Sequence, residues 1–231
     1  MDYHRIHFES VDSTSSYARR NASMLKTPCI ITASHQTNGR GRRGKSFFSP
    51  KDTGLYMTLL TNAQPNANLI TPAAAVAVCK AIEETTHIKP SIKWVNDIFV
   101  EGKKVCGILT ECFCENGKTY IAVGIGINLT TSKFPSELTQ AASLGINCSK
   151  ENLSQLIADR ITEYTYLPDD SEILKEYRKR LFVLGKKITY EKNGSVFSAT
   201  VKDINENCNL IVQRDDKSFD TLSSGEISIK L

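Results

Sequence analysis

Gly39-Arg40-Gly41-Arg42-Arg43-Gly44-Lys45-Ser46 limits the fold more than any other stretch of this chain. Its glycines satisfy the G-x-G-x-x-G dinucleotide fingerprint, and Gly39 to Ser46 also satisfies the G-x-x-x-x-G-K-S phosphate-loop pattern. Both patterns require a helix directly behind the loop, so that its first amides point at phosphate. Here Phe47-Phe48-Ser49-Pro50 follows, and a proline four residues in fits that helix badly. Asp52-Thr53-Gly54 then turns the chain, and His35 to Asn38 separates the loop from the β-rich run before it. The parallel-sheet folds that carry these motifs are therefore disfavoured. What the loop does bring together is bare backbone and dense positive charge, a combination suited to an anion. An isolated match of this kind is otherwise a mobile basic surface loop.

Around the loop, periodicity predicts a mixed chain. Ser13 to Leu25 reads as a helix entered through Asp12 and Ser13, and Cys29 to Ser34 as a short strand. Gly54 to Thr61 alternates as a strand. Thr71-Pro72 offers a cap and a first-position proline for a helix over Ala73 to Thr86, whose first half is apolar nearly all round. Strands are expected at Ile92 to Val95, Ile98 to Val100, Val105 to Cys114 and Tyr120 to Leu129, with hairpin turns at Glu101-Gly102 and Asn116-Gly117. Lys150 to Tyr166 and Asp170 to Leu184 read as helices. After Gly185 only short strands follow, turning at Asn193-Gly194, Asn205 to Asn207 and Asp215-Asp216. This shift marks a main domain over residues 1–184 and a small all-β, barrel-like domain over 185–231. Without a regular strand–helix–strand rhythm, the main domain reads as α+β.

Composition narrows the setting. A chain of 231 residues with 40% apolar and 23% charged residues is an ordinary globular protein with one sizeable core. A net charge of +4 is too small for a general nucleic-acid binder, but no acidic residue lies between Asp12 and Asp52, where Arg19, Arg20, Lys26, Arg40, Arg42, Arg43, Lys45 and Lys51 all fall. That segment should gather anionic ligands. The seven cysteines contain no C-x-x-C pair and read as thiols in a reducing compartment. Neither a signal peptide nor a membrane span is evident, so a cytoplasmic location without membrane association is expected.

Three further segments look chemically specific, each with a plain alternative. Asp12-Ser13-Thr14-Ser15-Ser16 is a helix cap by default. In Lys93-Trp94-Val95-Asn96-Asp97, strand alternation would put Lys93, Val95 and Asp97 on one face, while Asn96-Asp97 could be a simple turn. Gly102-Lys103-Lys104-Val105-Cys106-Gly107-Ile108-Leu109-Thr110-Glu111 places Lys104 at the mouth of an apolar strand, where a lone lysine is usually decorative.

Taken in order, these segments and Val123-Gly124-Ile125-Gly126-Ile127-Asn128-Leu129 resemble the biotin protein ligases: a G-R-G-R-x-G loop, K-W-P-N-D, G-K-K-[VL]-x-G-I-L-x-E and V-G-I-G-I-N. Gly225-Glu226-Ile227-Ser228 is similar to that family's C-terminal domain, so the resemblance extends from Asp12 to the end. It implies an α+β fold with a mixed, mostly antiparallel sheet and helices, plus a small SH3-like β-barrel domain. It also implies a reaction in two steps. Biotin and ATP form biotinyl-5′-AMP and pyrophosphate, and a lysine of a biotin carboxyl carrier protein then takes the biotin. By resemblance, Ser13, Thr14, Gln36, Gly39, Arg40, Lys104 and Gly107 bind biotin; Arg42, Lys45, Phe47, Asn96 and Asn128 bind ATP and the adenylate. Lys104, Arg40, Arg42 and Asp97 carry catalysis, with Asp97 orienting the acceptor amine. Mg²⁺ is expected with ATP, with no protein-only metal site. Two departures stand out: Val95 replaces the family's proline, and Phe47 stands where many relatives have tryptophan.

Longer relatives carry an N-terminal DNA-binding domain, for which the residues before Asp12 leave no room, so no DNA partner is expected; a homodimer is the candidate assembly. A lipoate-type or other carboxylate ligase is the rival enzyme, and a nucleic-acid-binding module using the Arg-Gly loop is the rival outside catalysis.

Overall fold

The computed structural model describes residues 1–63, 69–166 and 169–229. A seven-stranded sheet organises the larger part. Its strands are β1 (His4–Phe8), β2 (Cys29–Ala33), β3 (Gly54–Asn62), β4 (Ser91–Lys93), β5 (Asp97–Val100), β6 (Lys103–Glu115) and β7 (Lys118–Asn128), in the order β1-β2-β3-β7-β6-β5-β4. Only β1 and β2 pair in parallel; every other neighbour is antiparallel. The expected mixed, mostly antiparallel α+β fold is what forms.

The two long hairpins turn where glycine pairs predict. Glu101 (φ 49°) with Gly102 (φ 75°), and Asn116 (φ 50°) with Gly117 (φ 73°), occupy the left-handed region at both central positions, as a type I′ turn requires. Helices α2 (Ile70–Thr86), α3 (Lys150–Thr165) and α4 (Ser171–Arg180) cover one face. The apolar first half of α2, from Ala73 to Ile82, is almost wholly buried there, against Ile30, Met57, Val123, Ile125 and Ile157. The opposite face carries α1 (Thr14–Asn21), whose Ala18 packs on Cys29, Ile31, Leu60 and Ala122, and this is where the functional site lies.

Several local expectations shift. The strand β1 went unread because it is five residues long, half polar and at the sheet edge; with α1 it makes one β–α–β unit, although the glycine loop follows β2 rather than β1. Helix α1 is capped by Ser13 but stops at Asn21, with one 3-10 turn over Ala22–Met24. Helix α2 starts at Ile70 rather than Ala73, without a side-chain cap, so Pro72 sits two residues in. Proline is tolerated there because first-turn amides lack helical partners anyway. Helix α4 ends at Arg180, short of Leu184.

The largest change concerns Lys93 to Asp97. The stretch is not one strand but two, joined by a turn through Trp94 and Asn96, so Lys93 and Asp97 oppose each other across the β4–β5 pair. They share a face by pairing, and Val95 does not join them: its carbonyl accepts from the buried Tyr177 hydroxyl (2.9 Å). The Trp94–Val95 peptide is cis.

The chain ends in a five-stranded antiparallel sheet of β8 (Lys187–Lys192), β9 (Ser195–Ile204), β10 (Leu210–Arg214), β11 (Phe219–Leu222) and β12 (Ile227–Ile229), ordered β11-β10-β9-β8-β12. Its Ile188, Tyr190, Val201 and Leu210 join the same apolar cluster as α2 and the main sheet. The Trp94 indole N–H donates to the Cys208 carbonyl at 2.9 Å across that junction.

Candidate functional site

Sheet register builds the floor of the site. Cross-strand neighbours share a face, and one continuous row runs Lys93–Asp97–Gly107–Gly126–Tyr56–Ala33 across six strands. The next row is Leu109–Gly124–Thr58. Three glycines in the middle of these rows leave a trough. The Phe47 ring lies in it, so that a Cβ at Gly126 would collide with the ring, and one at Gly107 would meet it at 3.3 Å.

One end of the trough is uncharged and hydrogen-bonding. Gln36 Oε1 accepts from the Thr14 amide (2.9 Å) and its hydroxyl (3.2 Å), while Gln36 Nε2 donates to Ser49 Oγ (2.8 Å). The buried Thr58 hydroxyl lies 2.8 Å from Thr14 Oγ1 and 3.0 Å from Ser15 Oγ. Ser13 accepts the Ser16 amide as helix cap, so the plain reading of that serine holds while it also lines the cavity.

Over the trough folds the arginine–glycine loop, as a tight hairpin. The Phe47 amide donates to the Gly39 carbonyl (2.8 Å) and the Gly41 amide to the Lys45 carbonyl (2.7 Å), with Arg43 (φ 54°) and Gly44 (φ 75°) left-handed at the tip. Only a single 3-10 turn, Arg42–Gly44, forms, so no helix stands behind the loop as a phosphate-loop or dinucleotide fold requires. The loop's like charges are matched by partners elsewhere. Arg40 makes a bidentate pair with Glu111 (2.9 and 2.8 Å), Arg42 donates to Asn96 Oδ1 (2.9 Å), and Lys45 meets Glu226 of the C-terminal sheet at 2.7 Å. Burial pushes the Arg42 guanidinium pKa down, with neighbouring Arg43 adding to it. The hydrogen bond from Lys45 holds the Glu226 carboxyl below its usual range.

Ser13, Thr14, Gln36, Arg40, Arg42, Phe47, Asn96 and Gly107 therefore converge on one cavity. With Phe47 in place it holds only about 40 Å³, room for a few waters at roughly 10–15 Å³ each. Lys45, Asp97 and Lys104 line an adjoining groove that shares Arg42 and Asn96 with the cavity. There the Lys104 ammonium is 2.7 Å from Asp97. Gly39 stands at the base of the loop, where a Cβ would press on Ser49 Oγ at 2.8 Å. Asn128 is buried at the end of β7, on the face of Gly124 and Gly126, its Nδ2 donating to the Ala142 carbonyl (3.0 Å) and its Oδ1 unpartnered. Sequence reasoning missed Glu111, Ser15, Thr58 and the trough glycines Gly124 and Gly126. A period-2 count along β6 would have put Glu111 on the face of Gly107; the others needed the register.

This fold and site define a class. Residues 7–128 match the biotin/lipoate A/B protein ligase family, and residues 183–230 match the biotin protein ligase C-terminal domain. The chain belongs to the biotin/lipoate A/B protein ligase family. Among individual relatives, it is 34% identical over 170 residues to the bifunctional ligase/repressor BirA of Bacillus subtilis, an alignment covering 70% of this chain and 49% of BirA. It is 24% identical over 179 residues to the biotin–[acetyl-CoA-carboxylase] ligase of Mycobacterium tuberculosis, covering 71% of this chain and 65% of that one. The chain thus spans about half the length of the first curated relatives it matches. Its fold superposes on the Aquifex aeolicus biotin protein ligase in complex with biotin and ATP with a TM-score of 0.84, at 26% identity and 98% coverage of both chains.

Proposed function

We propose that the protein is a biotin protein ligase, forming biotinyl-5′-AMP from biotin and ATP and passing the biotin to a lysine of a biotin carboxyl carrier protein. The observation that carries this reading is a trough with an uncharged hydrogen-bonding end at Thr14, Gln36 and Thr58 and a cationic end at Arg42 and Lys104. A cyclic urea with an apolar tail ending in a carboxylate asks for that polarity. The Aquifex relative's complex with biotin and ATP supports the same ligands here.

In this reading Ser13, Thr14 and Gln36 hold the ureido group, and the backbone at Gly39 and Gly107 flanks the tail. Arg40 belongs at the biotin, its guanidinium now parked on Glu111. The first step brings two anions together, so fixed cations must cancel their repulsion and hold the line of attack. Lys104 and Arg42 are assigned that work at the biotin carboxylate and α-phosphate. Lys45, Phe47, Asn96 and Asn128 are assigned to the nucleotide. The unpartnered Asn128 oxygen supports this, since an exocyclic amine would satisfy a buried acceptor that otherwise costs about 1–3 kcal/mol. In the second step Asp97, released from Lys104, orients the incoming lysine amine.

Among the described residues no group of three or more His, Cys, Asp or Glu could hold a metal. Mg²⁺ would accompany ATP on its phosphates, where it would supply charge neutralisation. The reading includes the division into a catalytic unit, 1–184, and an all-β unit, 185–231, which the family match to residues 183–230 supports. It also includes a cytoplasmic setting, no DNA partner and a homodimer as the assembly to test by sedimentation. No helix among the described residues is long and apolar enough to cross a membrane.

The test is biotin-dependent exchange of labelled pyrophosphate into ATP with Mg²⁺, followed by intact mass of a carrier domain incubated with the mixture. Exchange driven by lipoate and not by biotin would favour the lipoate-type ligase. Salt-sensitive nucleic-acid binding with no exchange would favour the binding module.

A further inference from the structure

Two guanidiniums converge on Glu111. Arg40 of the arginine–glycine loop holds both carboxylate oxygens, at 2.8 and 2.9 Å, and Arg19 of α1 lies 3.7 Å from Oε1. Sheet pairing sets Glu111 in a row with Ala122 and Leu60, one row beyond Leu109–Gly124–Thr58 and beneath Ala18 of the helix. The carboxylate therefore stands between the loop and α1. Its side chain is 16% exposed, against 56% for Arg19.

The two arginines are held differently. Arg40 lines the cavity and makes the bidentate, charge-assisted kind of contact, which is the strong kind. Arg19 is at ion-pair rather than hydrogen-bond distance, and would need to approach by about 1 Å to donate. Its guanidinium lies over the Phe113 ring, 5.3 Å from the centroid, and Phe113 is the next residue after Glu111 on that face of β6. The ring keeps this second cation at hand. Arg40 cannot serve Glu111 and a bound ligand with one geometry. Moving it to the ligand would strand a carboxylate that is mostly shielded from water, a costly state unless another cation closes on it.

We infer that Glu111 is a positioning residue for biotin entry: it holds Arg40 off the ligand in the free protein, and Arg19 is the standby cation that takes over the carboxylate as Arg40 leaves. This rests on the placement of Arg40 at the biotin in the reading above. Neither Glu111 nor Arg19 lines the cavity or the adjoining groove, so both act through Arg40. A site whose competent state is only partly populated binds more weakly by that fraction. Glu111 thus weakens biotin binding by stabilising the parked loop. Arg19 strengthens it by stabilising the carboxylate that Arg40 vacates.

The experiment uses the full chain and the variants Glu111→Gln, Arg19→Gln, Arg19→Lys and the double variant Glu111→Gln/Arg19→Gln. It measures the biotin Kd of the free protein by calorimetry, and the KM for biotin and for ATP in pyrophosphate exchange. Glu111→Gln should lower the biotin Kd and KM about fivefold, as the bidentate hold on Arg40 is lost. Arg19→Gln should raise both about threefold, the size of a half-exposed ion pair, and Arg19→Lys should recover most of that loss. The ATP KM at saturating biotin should stay within about twofold throughout. The double variant should behave like Glu111→Gln alone, because Arg19 acts only on that carboxylate. A merely structural role predicts that both single variants weaken biotin binding. A biotin Kd that rises or stays unchanged in a Glu111→Gln protein that melts like wild type would overturn the inference. Should that variant fail to fold, an unchanged biotin Kd in Arg19→Gln overturns it instead. A wild-type protein with neither biotin binding nor biotin-dependent exchange would sink the ligase reading, and the inference with it.

Discussion

The Lys104 ammonium rests 2.7 Å from the Asp97 carboxylate, with both side chains partly open to the groove (34% and 26% exposed). The two residues assigned to different steps of one reaction thus hold each other in the free protein. In the proposed reaction, an anion bound at Lys104 would break this pair and free Asp97 for the acceptor amine, so that one contact would order the two steps.

Lys104→Ala should therefore abolish adenylation while leaving the fold intact. Loss of a cation at the reacting phosphate is expected to cost several kcal/mol of barrier, roughly a factor of a thousand in exchange rate. Asp97→Asn should spare exchange and slow transfer from preformed adenylate to the carrier. Near-normal exchange in Lys104→Ala, with the variant's melting curve unchanged, would refute the assignment.

The arginine–glycine loop is expected to gain protection when ligand fills the trough. Limited proteolysis should cut between Asn38 and Phe48 in the free protein and spare that stretch with biotin and ATP present. Equal cleavage in both states would count against closure over the adenylate.

Phe47 and Gly126 should be energetically coupled, because a Cβ on Gly126 would meet the Phe47 ring before anything else. Gly126→Ala should destabilise by about 1–3 kcal/mol in wild type, the usual cost of overpacking, and by far less in a Phe47→Ala background. A double-mutant cycle in urea measures the coupling; additive costs would show that the ring does not occupy the trough in solution.

Trp94→Phe removes the donor that satisfies the buried Cys208 carbonyl. The expected loss is about 1–3 kcal/mol, read as a lower denaturation midpoint. If the midpoint is unmoved, the indole is not the peg between the two sheets.

Asp220 gives a pH-dependent test. Lys192 and the Tyr190 hydroxyl, then Arg214, hold its carboxyl at about 2. The folded pKa lies below the unfolded one, so the stabilisation is present above an ordinary aspartate pKa of about 3.9 and is lost as pH falls from there towards about 2. Asp220→Asn should lower the melting temperature at pH 7, and the gap to wild type should shrink across that acid window. A gap independent of pH would mean that the substitution acts through shape alone.

What the sequence determined by itself was local. The β-rich runs that form Gly54–Asn62 and Lys118–Asn128 (both buried on both faces, so the alternation expected of the first does not appear), the apolar stretch of Ala73–Ile82, the Ser13 cap and the glycine turns each follow from local composition or backbone preference, and all are read within a dozen residues. The family resemblance was also legible, because its motifs are contiguous strings. Tertiary structure decided which of those strings meet. Lys93 faces Asp97 only because a hairpin forms between them, and Gly107 faces Gly126 and Tyr56 only through the register of β6, β7 and β3. Lys45 and Glu226 are 181 residues apart in the chain and bonded in the fold. Periodicity sets which way a side chain points, while sheet pairing and the seating of the C-terminal sheet on the core set what it points at. That is why the charges of the loop could be read as a cluster in the sequence, but their partners Glu111, Asn96 and Glu226 could not.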